Sequence, residues 1–96
     1  MPMEKRFSLG DIVQSKVGRD AGKFFLVIKT DCEYAYIVNG KERTVQNPKK
    51  KKFKHLKLIL IAGLNELAMR INGGQPVANR SVYKALKSAK QKIQED

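Results

Sequence analysis

The chain has 96 residues and a formal net charge of +11, since 20 Lys and Arg outnumber nine Asp and Glu. This length allows one small domain and excludes two full ones, while a hydrophobic fraction of 42% excludes a wholly disordered basic tail. The longest uncharged apolar run, Leu58–Leu64, covers about a third of a membrane span, and one Cys and one His are too few for an internal disulfide or a structural zinc site.

The first third of the chain predicts two strands joined by a polar loop. Gly10-Asp11 is a turn signal, and a short strand is expected after it near Ile12. Gly18–Lys23 is a six-residue polar loop with a glycine near each end. Lys23–Thr30 comes next and is rich in β-branched and aromatic residues, which favours a strand.

The polar loop has two interpretations. It is an ordinary turn if Gly18 and Gly22 serve only to adopt positive φ, which glycine does without strain. It is a phosphate contact if Arg19 and Lys23 present donors around a backbone that an anion can approach closely. Residue chemistry alone favours neither interpretation, and both can hold together.

A second hairpin is predicted before the middle of the chain. Tyr34–Val38 has the composition of a strand, and Asn39-Gly40 is a strong signal for a two-residue hairpin turn. We therefore expect Lys41–Val45 to pair back as a short strand. Pro48 ends this hairpin, because proline has no N–H to donate to a sheet.

The positive charge is concentrated after Pro48. Residues 1–48 carry a net charge of +2, and residues 49–96 carry +9. Lys49–Lys57 holds six lysines and no acidic residue, so its charges repel one another and we expect an exposed loop. A last strand is predicted around His55–Ile61. About five short strands in roughly sixty residues predict a small, strongly bent antiparallel barrel.

Two short helices are predicted after the barrel. Leu64–Ile71 places apolar residues at helical spacing and precedes Gly73-Gly74, a typical helix stop. A second helix is expected to begin near Asn79 or Ser81, both good N-caps, and its apolar stripe is Val82, Leu86, Ala89 and Ile93. The predicted fold class is therefore mainly β with C-terminal helices, divided into a barrel over residues 1–62 and a helical extension over residues 63–96.

The sequence offers little for catalysis. Cys32 lies between Asp31 and Glu33, an acidic setting that disfavours the reactive thiolate. His55 is the only histidine and has lysines as neighbours, and the Gly18–Lys23 loop lacks the glycine spacing of a nucleotide-binding P-loop. We therefore expect no enzyme activity, no cofactor, no metal and no small-molecule substrate.

The segment from Gly10 to Ile28, GDIVQSKVGRDAGKFFLVI, resembles a KOW motif. Within that group, GRDAGK followed directly by an apolar strand is most similar to the large-subunit ribosomal proteins fourteen-e, six-e and twenty-seven-e. Lys51–Leu56, KKFKHL, also resembles the basic stretch of the fourteen-e type, and two matched segments in the right order are more specific than one. The resemblance covers roughly residues 7–58. A bacterial KOW-domain RNA-binding relative is the alternative, because the C-terminal third has no counterpart in this resemblance.

The resemblance implies an SH3-like barrel that binds ribosomal RNA. It assigns Arg19 and Lys23 of the matched loop to RNA contact, with Gly18 and Gly22 shaping the backbone as structural turn residues. From the matched basic stretch it adds Lys51, Lys52, Lys54 and His55. Together with the charge pattern, the predicted RNA-binding set is Lys16, Arg19, Lys23, Lys49, Lys50, Lys51, Lys52, Lys54, His55 and Lys57. Lysine outnumbers arginine by 15 to five. A lysine ammonium is a point charge, whereas the planar guanidinium of arginine is the better match to base edges, so we expect little sequence specificity.

Two other partner classes compete with RNA. A protein-interaction module of the transcription or translation machinery would dock its barrel or the apolar stripe of its second helix on a partner such as a ribosomal protein. An anionic membrane is disfavoured, because the apolar residues beside the lysines predict a strand rather than an interfacial helix. The single cysteine and an N-terminal segment without an apolar signal core predict a cytoplasmic protein, either ribosome-bound or free.

Overall fold

The computed structural model describes residues 6–94. It contains a five-stranded antiparallel sheet followed by two helices, which confirms the predicted fold class of a small barrel-like β domain with C-terminal helices. The strands are β1 (Ile12–Ser15), β2 (Phe24–Asp31), β3 (Tyr34–Val38), β4 (Lys49–Lys52) and β5 (Leu56–Leu60). The helices are α1 (Asn65–Asn72) and α2 (Asn79–Gln94), and a single 3₁₀ turn, Phe53–His55, joins β4 to β5.

The sheet curls because its two edge strands are joined by only three residues. The strand order is β4-β3-β2-β1-β5, so β4 and β5 are the edges. The Lys16 N–H, just after β1, donates to the His55 carbonyl at 2.9 Å, and the Phe53 N–H donates to the Glu33 carbonyl, just before β3, at 2.8 Å. The 3₁₀ turn therefore bridges one end of the sheet and gives it a barrel-like shape.

Alternate residues of the strands face the interior of the curled sheet. In β2, Phe25 and Val27 point inward while Leu26 and Ile28 point outward, because side chains alternate along a strand. Both sets are buried, which explains the continuous apolar run FFLVI. The inner core consists of Phe7, Val13, Phe25, Val27, Ala35, Ile37, Phe53 and Leu56.

The two helices cover the part of the outer face that is centred on β2. A second buried cluster combines residues of β1, β2 and β3 with residues of both helices: Ile12, Leu26, Ile28, Val38, Ala68, Val82 and Leu86. The Asn72 side chain of α1 also donates to the Ile28 carbonyl at 2.7 Å. The apolar stripe of α2 therefore packs within the chain, since Val82 and Leu86 are 0% and 5% exposed.

Gly10 and Asp11 connect the barrel to α1. Asp11 is buried, and its two carboxylate oxygens accept hydrogen bonds from the Ser8 and Ala62 N–H groups, both at 2.8 Å. Gly10 has a φ of +90°, and a side chain at this position would overlap the backbone of Asn65, the first residue of α1. The turn signal seen in the sequence thus also fixes where β5 ends and α1 begins.

The predicted second hairpin is wrong. Lys41–Val45 forms no strand, and the chain instead bends around the Asn39 side chain, whose Oδ1 accepts from the N–H groups two and four residues further on at 3.0 Å each. Gly40 has a φ of +79°, and a side chain there would overlap the Asn79 carbonyl at the start of α2. The hydrogen bonds of the Asn39 side chain, together with the packing of α2 against the bend, replace the two-residue turn.

The lysine stretch requires a second correction, because residues 49–52 form a strand rather than a loop. β4 pairs antiparallel with β3, with Lys49 opposite Ile37 and Lys52 opposite Tyr34. Repulsion between neighbouring lysines is tolerated because consecutive side chains point to opposite faces of a strand. Lysines on an edge strand also discourage its pairing with a second chain.

Candidate nucleic-acid interface

The four lysines of β4 divide between the two faces of the strand. Lys49 and Lys51 lie opposite residues of β3 that face the inner core, whereas Lys50 and Lys52 lie opposite the two tyrosines of β3 on the outer face. The predicted lysine-rich segment therefore contributes to two separate charged surfaces.

Lys51 is the most buried of these lysines, with 8% of its surface exposed. Its Nζ donates to the Val17 carbonyl at 2.9 Å and lies 3.6 Å from the position that a side chain on Gly18 would occupy. A buried ammonium needs such an acceptor, because an unpaired buried charge is costly. Lys51 thus holds the start of the Gly18–Lys23 loop against β4.

The Gly18–Lys23 loop, the bend after Asn39 and β4 enclose a cleft of about 430 Å³, referred to below as the basic cleft. Five cations from three separate segments line it together with two carboxylates: Arg19, Lys23, Arg43, Lys49 and Lys51, with Asp20 and Glu42. The structure thus brings four of the predicted RNA-binding residues to one place and adds Arg43. The excess of cations over carboxylates suits the cleft to an anionic ligand.

Backbone hydrogen bonds shape the loop at the rim of the basic cleft. The Gly22 N–H donates to the Ser15 carbonyl at 2.8 Å, and the Lys23 N–H donates to the Asp20 carbonyl at 2.9 Å. Gly18 and Gly22 have φ values of +81° and +90°, a region that glycine adopts most readily. Among the described residues, no atom lies within 4 Å of where a side chain on Gly22 would stand, although its N–H and C=O are both already hydrogen-bonded within the chain.

Glu42 offsets part of the positive charge of the basic cleft. The Asn39 amide donates to its Oε1 at 2.8 Å, and the Lys23 Nζ lies 3.6 Å from the same oxygen. The Asn39 hydrogen bond, followed by the charges of Lys23 and Lys41, lowers the pKa of Glu42 against the opposing effect of desolvation. Glu42 is therefore ionised at neutral pH and attracts Lys23 to the boundary of the cleft.

A second basic surface lies on the outer side of the sheet. This tyrosine–lysine face consists of Lys29, Tyr34, Tyr36, Lys50 and Lys52. The Lys50 Nζ lies 4.5 Å from the ring centroid of Tyr34, and the Lys29 Nζ lies 5.3 Å from that of Tyr36. Both distances are within the range of cation–π attraction. Lys50 and Lys52 are thus predicted site residues that lie away from the basic cleft.

The remaining predicted residues surround the 3₁₀ turn or lie on β5. Lys16 and Lys54 are exposed, and their charges act on His55 within the turn. Lys57 is exposed on β5, where it lies opposite Gln14 of β1. The predicted set is therefore distributed over three surfaces: the basic cleft, the tyrosine–lysine face and the region around the turn.

His55 is expected to titrate below its ordinary pKa of 6.5. Desolvation, and then the charges of Lys54, Lys51, Lys52 and Lys16, lower the pKa of this imidazole. His55 is therefore mostly neutral at pH 7 in the free protein. We expect an NMR titration of the free protein to give a pKa below 6.5, and Lys54→Gln to raise it. A value at or above 6.5 would contradict this arrangement of charges.

No protein-family model matches the chain, and no curated protein matches it significantly. Within residues 6–94, no helix is both long enough and apolar enough to cross a membrane. The same part of the chain has no group of three or more His, Cys, Asp and Glu side chains placed to hold a metal ion. The KOW resemblance and the RNA-binding residues accordingly stay predictions.

The sequence patterns identify neither Arg43 nor the tyrosines of β3 as candidate site residues. Arg43 lines the basic cleft because the chain bends around Asn39, whereas Asn39-Gly40 alone predicts a two-residue hairpin turn. Tyr34 and Tyr36 are two residues apart on a strand, a spacing that does predict a shared face. That spacing, taken together with the adjacent lysines, is the signal that could have located the tyrosine–lysine face.

Proposed function

We propose that this protein is an RNA-binding module, ribosomal or ribosome-associated, that binds structured RNA such as ribosomal RNA with little sequence specificity. The observation that carries the proposal is the basic cleft, where five cations from three segments converge on one concave surface. Folded RNA is recognised mainly by its shape and its phosphates, which a concave cationic surface can follow. The net charge of +11 adds attraction at longer range.

The cations of the basic cleft differ in what they offer an RNA. Arg19 is exposed, and its planar guanidinium suits a two-bond contact with a phosphate. Lys23 forms an ion pair with Glu42 and lies at the boundary of the cleft. Lys51 is already bonded to the Val17 carbonyl, so it positions the loop and adds charge without reaching outward. Direct phosphate contact is therefore assigned first to Arg19, Lys23 and Lys49.

The protein-interaction alternative loses one of its two proposed docking surfaces, the helix stripe, while the barrel surface is left. The apolar stripe of α2 is buried against the sheet at Val82 and Leu86, so these side chains are not available to the groove of a partner. An acidic protein would be attracted to the basic surfaces as well. The concave arrangement of five cations in the basic cleft, however, favours the closely spaced phosphates of a folded RNA.

The salt dependence of binding tests the proposed function. We expect the protein to co-sediment with ribosomal subunits at low salt and to bind a structured ribosomal RNA fragment in titrations. Log K should fall with log salt by roughly 0.7–0.9 for each neutralised phosphate, because each contact releases counterions. Binding that is nearly independent of salt would favour a protein partner, and a protein without affinity for ribosomes or RNA at low salt would contradict the proposal.

A further inference from the structure

A second concave surface adjoins the basic cleft. Between α2 and the start of β2 lies a groove of about 460 Å³, referred to below as the aromatic groove. Its volume is within the range of about 300–1,000 Å³ that small-ligand sites occupy. Phe24 of β2 and Tyr83 of α2 line it, and Tyr83 is 40% exposed. The groove therefore offers aromatic surface to a ligand from solvent.

Lysines surround the two rings of the aromatic groove. The Lys90 Nζ lies 5.1 Å from the ring centroid of Phe24, and the Lys41 Nζ lies 5.9 Å from that of Tyr83. Lys87 also lines the groove. A bare anion would leave the rings unused, and an apolar ligand would leave the ammonium groups without a counter-charge. A nucleotide supplies both a flat ring for stacking and a negative charge for the lysines.

The aromatic groove adjoins the basic cleft, and the Lys23–Glu42 ion pair lies at their common boundary. Lys23 and Glu42 line both of them. An RNA backbone in the cleft can therefore pass Lys23 and place its next nucleotide in the groove. A paired base inside a duplex is already stacked and cannot offer its face to a protein ring, so the occupant has to be unpaired.

We infer that the aromatic groove binds one unpaired RNA nucleotide while the neighbouring phosphates lie in the basic cleft. The inference rests on the RNA-binding function proposed above and narrows its substrate class to structured RNA with a bulged or flipped-out nucleotide. Tyr83 supplies the stacking surface, and Lys41, Lys87 and Lys90 supply the counter-charge. An acidic peptide is the competing occupant, but its carboxylates supply no flat ring to stack on Tyr83.

Two hairpin RNAs that differ by one bulged nucleotide test the inference. The 96-residue protein should bind the bulged hairpin about 10- to 100-fold more tightly than the fully paired one, as expected for one stacked base. Tyr83→Ala should remove this preference and leave the affinity for the paired hairpin unchanged. Tyr34→Ala, on the tyrosine–lysine face, is the matched control and should keep the preference.

A fluorescence measurement gives a second, independent readout. The sequence contains no tryptophan, so Tyr83→Trp places a single reporter in the aromatic groove. We expect the bulged hairpin to quench this fluorescence and the paired hairpin to leave it unchanged. Equal affinity for both hairpins without quenching would overturn the inference while leaving RNA binding intact. Failure to bind either hairpin would overturn the proposed function itself, and quenching by polyglutamate but not by RNA would assign the groove to an acidic protein.

Discussion

Replacing Leu86 by alanine is expected to lower the free energy of unfolding of the whole domain by about 2–5 kcal/mol. Leu86 lies on α2, is 5% exposed and packs in the cluster that α2 shares with the outer face of the sheet. Alanine would remove buried methyl groups and leave a cavity between helix and sheet. Small domains are stable by only about 5–15 kcal/mol, so this loss is a large part of the total. Chemical denaturation followed by circular dichroism measures it.

Lys84→Ala is the matched control, because Lys84 is exposed on the same helix. We expect it to change the free energy of unfolding by less than about 0.5 kcal/mol. The helix and sheet signals should also disappear in one coincident transition, since the two share a core. Two separate transitions, or a cost for Leu86→Ala no larger than that for Lys84→Ala, would contradict the shared core. Residues 63–96 would then be an extension that folds independently of the barrel.

Strands and helices with strong local signals are the part of the fold that the sequence predicts. Tyr34–Val38 forms a strand with the predicted bounds, and the strand predicted over Lys23–Thr30 is observed over Phe24–Asp31. Both segments are rich in aromatic and β-branched residues, which pack well on a sheet. The first helix likewise ends at Asn72, directly before the glycine pair that predicts its end.

Contacts between distant segments account for what the sequence does not predict. Lys49–Lys52 forms a strand because its backbone N–H and C=O groups pair with the open edge of β3, whatever its side chains are. Four consecutive lysines predict an exposed loop, because their side chains repel one another. That repulsion carries no information about how the backbone pairs. Arg43 lines the basic cleft for a similar reason, since α2 packs against the bend that carries it.

The pairing of β4 also changes the meaning of the lysine stretch for function. A loop would present its lysines to one target, whereas a strand turns alternate side chains to opposite faces. Lys49 therefore lines the basic cleft, while Lys50 lies over the tyrosines of β3. Residues that are adjacent in sequence and equal in charge thus occupy different surfaces, so a comparison between them separates the effect of location from that of net charge.

Removing three cations from the basic cleft is expected to weaken RNA binding far more than removing three from the tyrosine–lysine face. The cleft variant combines Arg19→Gln, Lys23→Gln and Lys49→Gln. Each lost phosphate contact removes about 0.7–0.9 from the slope of log K against log salt, so the slope should decrease by about 2–3. Titration of a structured RNA across a salt series measures both the affinity and the slope.

The matched variant combines Lys29→Gln, Lys50→Gln and Lys52→Gln on the tyrosine–lysine face. It removes the same net charge, so the general attraction to RNA falls equally and a difference between the two variants reports location. We expect its slope to change by less than about 1, because few phosphate contacts are lost. A larger loss here than in the cleft variant would place the phosphates on the tyrosine–lysine face. Equal losses of affinity and slope in the two variants would mean that the lysines and arginines act only through the net charge of the protein. That outcome would contradict a defined phosphate site in the basic cleft.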